Sequence, residues 1–182
     1  MGSEQSKPDF IEPIALFGSD PEAVKEIAAM EKAVEANYNN EFLEDPDAPL
    51  KHYIEHPDVS FVDILAPGHY FGVDVRNWFN YIGPQFVGEL GLINMRIFAR
   101  NGVGFCYMHQ TYEGTLDDGK EFFWKMRQTD AVEKIDGEWK ILHTHLSFAA
   151  TPQAKHPETW TVDFEMPRLP LPWDVAAKLA GG

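Results

Sequence analysis

The stretch from Lys140 to Phe148, KILHTHLSF, sets His143, His145 and Ser147 at alternate positions of a segment with strand composition. Side chains alternate along a strand, so the three share one face, and the same count puts Trp139 and Ile141 on it. Just upstream, Asp136-Gly137 is a two-residue hairpin signal. Counting outward from Ile135 opposite Glu138 sets Val132 against Ile141, Asp130 against His143, Gln128 against His145 and Met126 against Ser147. This register predicts a carboxylate beside an imidazole on the buried face. Such a pair is a general acid or a donor to a developing oxyanion; alternatively it is a hydrogen-bonded pair that only fixes the sheet.

Two further sets are open to chemistry. His143 and His145, with Asp63 or His109 nearby, have ligand types suited to a metal. No third ligand is marked by spacing, so no metal or other cofactor is expected. Tyr107, His109 and Thr111 alternate with Phe105 in VGFCYMHQTYEG. They are candidate hydrogen-bond donors, or a tyrosine buried by its ring with its hydroxyl satisfied.

Composition limits what these groups serve. The chain has 182 residues, 44% hydrophobic and 13% aromatic, which suits one domain with a substantial core. A formal net charge of −14 argues against binding a phosphate backbone, which needs clustered Lys and Arg. The polar start MGSEQSKPDF has no apolar signal region, and no run approaches a membrane span. The single cysteine, Cys106, permits no internal disulfide. A cytoplasmic protein acting without nucleic acid or membrane is expected.

The elements that must position these groups are legible. Ser19 or Asp20 is the N-cap of a long helix, with Pro21 in its first turn and Glu22 able to close a capping box. Val24, Ile27, Ala28, Met30 or Glu31, Val34, Tyr38 and Phe42 follow at spacings of three and four, which buries one face. A short helical piece is expected near Leu50 to Ile54, a strand over 58–65, a loop over 66–72, and a third helix over VDVRNWFNYI. Four long strands then follow, near 90–100, 103–115, 120–135 and 138–149, with turns at Asn101-Gly102, Asp117-Asp118-Gly119 and Asp136-Gly137. Helices first and an antiparallel meander afterwards read as α+β. Residues 1–18 are read as a tail, 19–150 as the domain and 151–182 as an arm. The arm carries five prolines and Trp160, Phe164, Met166, Leu169, Leu171 and Trp173, a composition that favours strapping apolar surface.

One long amphipathic helix, then HPDVSFVDILAPGHYFGVDVRNWF, then strands closing on RQTDAVEKIDGEWKILHTHLS, resembles the nuclear-transport-factor-2-like superfamily. Within it the pattern is most similar to the SnoaL-like and ketosteroid-isomerase-like branch, over about residues 19–150. The ending is shared with the association domain of calmodulin-dependent kinase II. The resemblance implies a cone: a bent antiparallel sheet around the first helix, open into an apolar pocket, in a chain that forms homodimers.

It also implies roles. A general base falls on Asp63 and a second aspartate, donating to the substrate oxygen, falls on or beside Asp130; the handling of one carboxylate as a neutral donor is an established case of pKa tuning. The family's tyrosine on the first helix falls near Ala33, so Tyr38, Tyr107 or His109 would have to take its place. Among Phe61, Trp78 and Phe79, Asp63 would be desolvated and hence more basic. His145 and Ser147 complete the expected substrate contacts. The implied activity is cofactor-free isomerisation, dehydration or release of a small aldehyde, on an apolar aromatic or polycyclic molecule. The rival expectation is a non-catalytic dimerisation or small-ligand-binding module.

Overall fold

The computed structural model describes residues 12–64, 68–82, 87–115 and 119–148. The proline-rich arm, the Asp117-Asp118 turn and the Gly83-Pro84 stop lie outside them. Helix α1 spans Pro21–Glu41 and is capped by Asp20, whose side chain accepts from the Glu22 backbone N–H at 2.9 Å. Ser19 does not close a capping box. Its hydroxyl instead donates to the Ile97 carbonyl and ties the helix start to the sheet. A 3-10 turn at Pro49–His52 follows, and α2 covers Val73–Ile82 as its apolar spacing predicts.

Among the described residues, seven strands form one mixed sheet: β1 Ile14–Ala15, β2 Ser60–Val62, β3 His69–Phe71, β4 Val87–Arg100, β5 Val103–Thr115, β6 Glu121–Ile135 and β7 Glu138–Ser147. Their order is β1-β4-β5-β6-β7-β2-β3. The long strands are the expected antiparallel meander, turned at Asn101-Gly102 and Asp136-Gly137, all four residues at positive φ as a tight hairpin turn of this kind requires. Sequence reasoning did not anticipate the flanks. β1 lies within the stretch read as a tail and pairs parallel with β4, while β2 pairs parallel with β7. β3 falls in the stretch read as a loop.

The sheet curls over α1, which buries Val24, Ile27, Met30, Glu31 and Val34 against it. Beyond its short pairing with β1, the edge of β4 has backbone groups left to satisfy, and α1 supplies side chains. Asn39 accepts from Leu90 N–H at 2.7 Å and donates to its carbonyl at 2.8 Å. Glu35 accepts from Leu92 N–H and Lys32 donates to the Leu92 carbonyl. The helix thus stands in for a missing strand and blunts an edge that would otherwise pair with another chain. At the other end, Glu26 accepts from both Lys134 and Trp139 Nε1, at 2.6 and 2.7 Å, and fastens α1 to the last hairpin.

The expected register of that hairpin holds only near the turn. Ile135 faces Glu138 and Val132 faces Ile141, but Ala131 then faces His143 and Asp130 faces Thr144. Leu142 is an extra residue on β7, a bulge that reverses the alternation beyond it. Trp139 and Ile141 are buried before it, Thr144 and Leu146 after it. His143, His145 and Ser147 are therefore on the outer face, not with Trp139 and Ile141, and the predicted Asp130–His143 pair does not form. Deleting Leu142 should leave a regular ladder with the same faces, because His143 then follows the inward Ile141 directly and stays outside while Thr144 and Leu146 stay inside. Urea denaturation should show a smaller loss for this deletion than for deletion of His145, which turns the buried Leu146 outward.

Candidate functional site

Inside the curl lies a cavity of about 80 Å³. Helix α1 contributes Val34 and Tyr38, the segment after the 3-10 turn Tyr53, β2 Phe61 with Asp63 just beyond it, and α2 Trp78 and Phe79. The sheet closes the far side with Gln110, Tyr112, Trp124, Met126, Gln128, Thr144 and Leu146. The walls are mainly apolar, with aromatic rings prominent among them. Phe61 and Phe42 both meet Phe79 edge-on, and Tyr38 stacks on Phe42. A second hollow of about 530 Å³ lies outside, between Leu50–Val59 and the start of α2. Its charged members, Glu55, His56 and Arg76, are exposed, so it offers no desolvated acid or base.

Asp63 enters the inner cavity as expected. Its Oδ2 accepts from Trp78 Nε1 at 2.8 Å, and its backbone N–H donates to Gly68 O at 2.8 Å, which fixes the carboxylate at the end of β2. Tyr38 also lines the cavity, and its hydroxyl is hydrogen-bonded to that of Tyr112. Burial first, then Tyr112 and the Asp63 charge, pushes the Tyr38 phenol well above its ordinary range. Phe61, Trp78 and Phe79 are in place as wall residues.

The remaining expected site residues are not brought together. Tyr107 and His109 alternate with the buried Cys106 and Met108 on β5 and face outward, their rings 6.0 Å apart. His143 and His145 are also outside, with His143 Nδ1 hydrogen-bonded to Ser60 Oγ at 2.8 Å. Desolvation, and then the neighbouring His145, lowers the His143 pKa, so its imidazole is neutral rather than the expected imidazolium. Asp130 is indeed buried, but without a histidine. Among the described residues no group of three or more His, Cys, Asp or Glu could hold a metal ion.

Asp130 instead meets Glu31, and both are completely inaccessible to solvent. Asp130 Oδ2 accepts from Gln128 Nε2 at 2.6 Å. Asp130 Oδ1 and both Glu31 oxygens have no donor as long as both groups are carboxylates. A proton on one of them supplies the missing donor, and the two then hydrogen-bond to each other. Burial, and then the Asp130 charge, raises Glu31 well above the ordinary carboxylate range. Burial raises Asp130 from its usual 3.8 to about 6, against the opposing pull of hydrogen bonds from Thr144, Gln128 and Glu31. Glu31 thus holds the proton at neutral pH and donates it to Asp130. Thr144 in turn meets Tyr53, their hydroxyls 2.8 Å apart, and both line the cavity.

Glu31 and Tyr53 are the site residues that sequence reasoning missed. The signal for Glu31 was present: positions 27, 31, 34 and 38 form one helical stripe, with a carboxylate at its centre. Tyr53 had no comparable signal, since its place depends on pairing with Ile141, to which it bridges.

No family model matches the chain, and no curated protein matches it. Solved structures do. A nuclear-transport-factor-2-like protein of unknown function from Pseudomonas putida superposes with a TM-score of 0.62 at 16% identity, covering 82% of this chain and 99% of that one. A candidate calcium/calmodulin-dependent protein kinase II association domain from Xanthomonas campestris gives 0.60 at 19%, over 70% and 88%. A candidate dehydratase of the same fold group from Streptomyces avermitilis gives 0.61 at 14%, over 72% and 100%. The fold is nuclear-transport-factor-2-like, an α+β cone.

The acid pair sets a pH dependence of stability. Both carboxyls have folded pKa values above their unfolded ones, so the native state binds more protons and stability falls as pH rises through the folded values. Melting temperature should decline from about pH 4 upward through pH 6 and beyond. Glu31→Gln, which keeps the shape and hydrogen-bond donor without an ionisable proton, should flatten that decline. A melting profile that rises over the same range would contradict it.

Proposed function

We propose that this chain uses its nuclear-transport-factor-2-like cavity for acid–base chemistry on a small carbonyl compound, with Asp63 as the base. The observation that carries the reading is the Asp63 carboxylate on an aromatic cavity wall, oriented by Trp78 Nε1. A base so placed removes a proton from a carbon beside a carbonyl, the step common to isomerisation, dehydration and loss of a small aldehyde. That structures of the same fold include a candidate dehydratase and a candidate aromatic ring hydroxylase is compatible with small-molecule chemistry, as an analogy of fold.

Cavity size narrows the substrate. A cavity of about 150 Å³ is known to hold benzene. The 80 Å³ here is about half of that, so a polycyclic molecule does not fit inside. The proposed substrate is a ketone or aldehyde of a few heavy atoms, or the reactive end of a larger one. Proton exchange at the α-carbon of acetone and cyclopentanone, followed by nuclear magnetic resonance in deuterium oxide, tests this. Asp63→Asn should lower any protein-catalysed exchange by about 10²- to 10⁴-fold while leaving the melting temperature within a few degrees. Exchange equal to buffer in the wild-type protein, with saturable binding of either ketone, would favour the ligand-binding module instead.

We also propose self-association through the outer sheet face, as a homodimer. What supports it is a cluster of half-exposed aromatics there: Phe98 and Phe105 stack at 5.7 Å, with Phe105 41% exposed and Tyr107 alongside. Phe105→Glu should then lower the mass measured by light scattering to that of one chain. An unchanged mass would remove this face from consideration.

A further inference from the structure

The buried pair Glu31–Asp130 does not line the cavity, yet it is not isolated from it. Asp130 lies directly opposite Thr144 on the neighbouring strand, both side chains buried, and the Thr144 hydroxyl is 2.8 Å from that of Tyr53. Thr144 and Tyr53 both form cavity wall. Two hydroxyls, each able to donate and accept at once, therefore join a solvent-free carboxyl pair to the space that Asp63 faces.

We infer that Tyr53, Thr144 and Asp130 form a proton relay that protonates the oxygen of a carbonyl ligand in the cavity, with Glu31 as the residue that positions Asp130. This rests on the proposed role of Asp63 for its reacting ligand. The step balances. Asp63 takes the α-proton, and the C–H electron pair becomes the new C=C bond. The carbonyl π pair moves to oxygen, which takes the Tyr53 proton as Tyr53 takes that of Thr144 and Thr144 that of Asp130. The enol is formed, Asp63 is neutral and Asp130 is ionised. No co-reactant is needed.

The surroundings suit that direction of transfer. Tyr53 is raised well above its ordinary pKa, first by burial and then by the Asp130 charge, so it passes a proton on without remaining ionised. Glu31 donates to Asp130 and keeps its oxygen aligned. The titratable groups facing the pair are Cys106, directly opposite Asp130 on β5, Tyr53 and, across the cavity, Asp63. The Cys106 thiol is pushed up by burial and by both carboxyls, so it stays neutral. The second acid group of the cavity therefore answers to Asp130, whose proton is held up to about pH 6.

Infrared spectroscopy of the full chain without ligand, titrated over about pH 4 to 8, tests the relay apart from the Asp63 reading. The expected spectrum keeps one protonated-carboxyl band at neutral pH, lost in Glu31→Gln. A second band grows in as Asp130 is protonated and is lost in Asp130→Asn. A tyrosine C–O band, absent in Tyr53→Phe, should shift together with that second band. Thr144→Val should leave both carboxyl bands and abolish the tyrosine shift, and Thr144→Ser should restore it. A neutral-pH spectrum with no protonated carboxyl would overturn the inference. So would a tyrosine band indifferent to Asp130, or a shift that survives Thr144→Val. If the relay is present but ketone exchange is not, the proposed reaction fails and the relay stands. If exchange is present, its alkaline limb in wild type should fall about tenfold per pH unit above about pH 6 and flatten in Asp130→Asn.

Discussion

A single extra residue on β7 governs which groups this protein keeps from water. Leu142 bulges, and beyond it every side chain of the strand is exchanged between the faces. Were Leu142 paired in the ladder instead of bulged, two imidazoles would face the core and Thr144 would lie outside. With the bulge, Thr144 reaches both Asp130 and Tyr53, and Leu146 adds apolar wall. A similar device acts on β4. The register shifts between Ile93 and Arg96 with Asn94 at positive φ, so that Leu90 and Leu92 before it and Met95 and Ile97 after it are all buried. Two long strands thus bend around α1 while keeping apolar faces inward.

The buried carboxyl pair is held at a cost that packing alone does not offset. Two ionised groups without water or a cation would be destabilising by several kcal/mol each. Sharing a proton removes one charge and supplies the missing hydrogen bond in the same step, while Gln128 and Thr144 satisfy the charge that remains. The arrangement is therefore coupled: the proton belongs to the pair, and Glu31 and Asp130 titrate together. It sits where α1, β5, β6 and β7 meet.

Asp63 is positioned by different means. It stands at the end of a three-residue strand, held by one backbone bond and by the indole of Trp78 on α2. Its charge acts on Tyr38, Tyr53 and Tyr70, in each case after burial itself, and favours their neutral forms. Among the described residues, the cavity thus sets the Asp63 carboxyl among several hydroxyls. This asymmetry is what separates a base from donors in a space too small for much water.

Much of this was legible in the residues themselves. The spacing of Val24, Ile27, Val34 and Tyr38 dictates the face of α1, and the positive-φ turns at Asn101-Gly102 and Asp136-Gly137 dictate the hairpins, because both signals are local. Asp63 and Asp130 were likewise identifiable as buried or cavity acids. What only the tertiary structure decided was partnership. The period-two rule that pairs Asp130 with His143 is correct until one residue is inserted, and nothing in KILHTHLSF marks Leu142 as that residue. Bulges are set by how a strand must bend to follow its neighbours, a property of the whole sheet. For the same reason Glu31 and Tyr53, 99 and 77 residues from Asp130 in the chain, could be seen as an odd helix residue and an ordinary tyrosine, but not as its proton partner and its outlet.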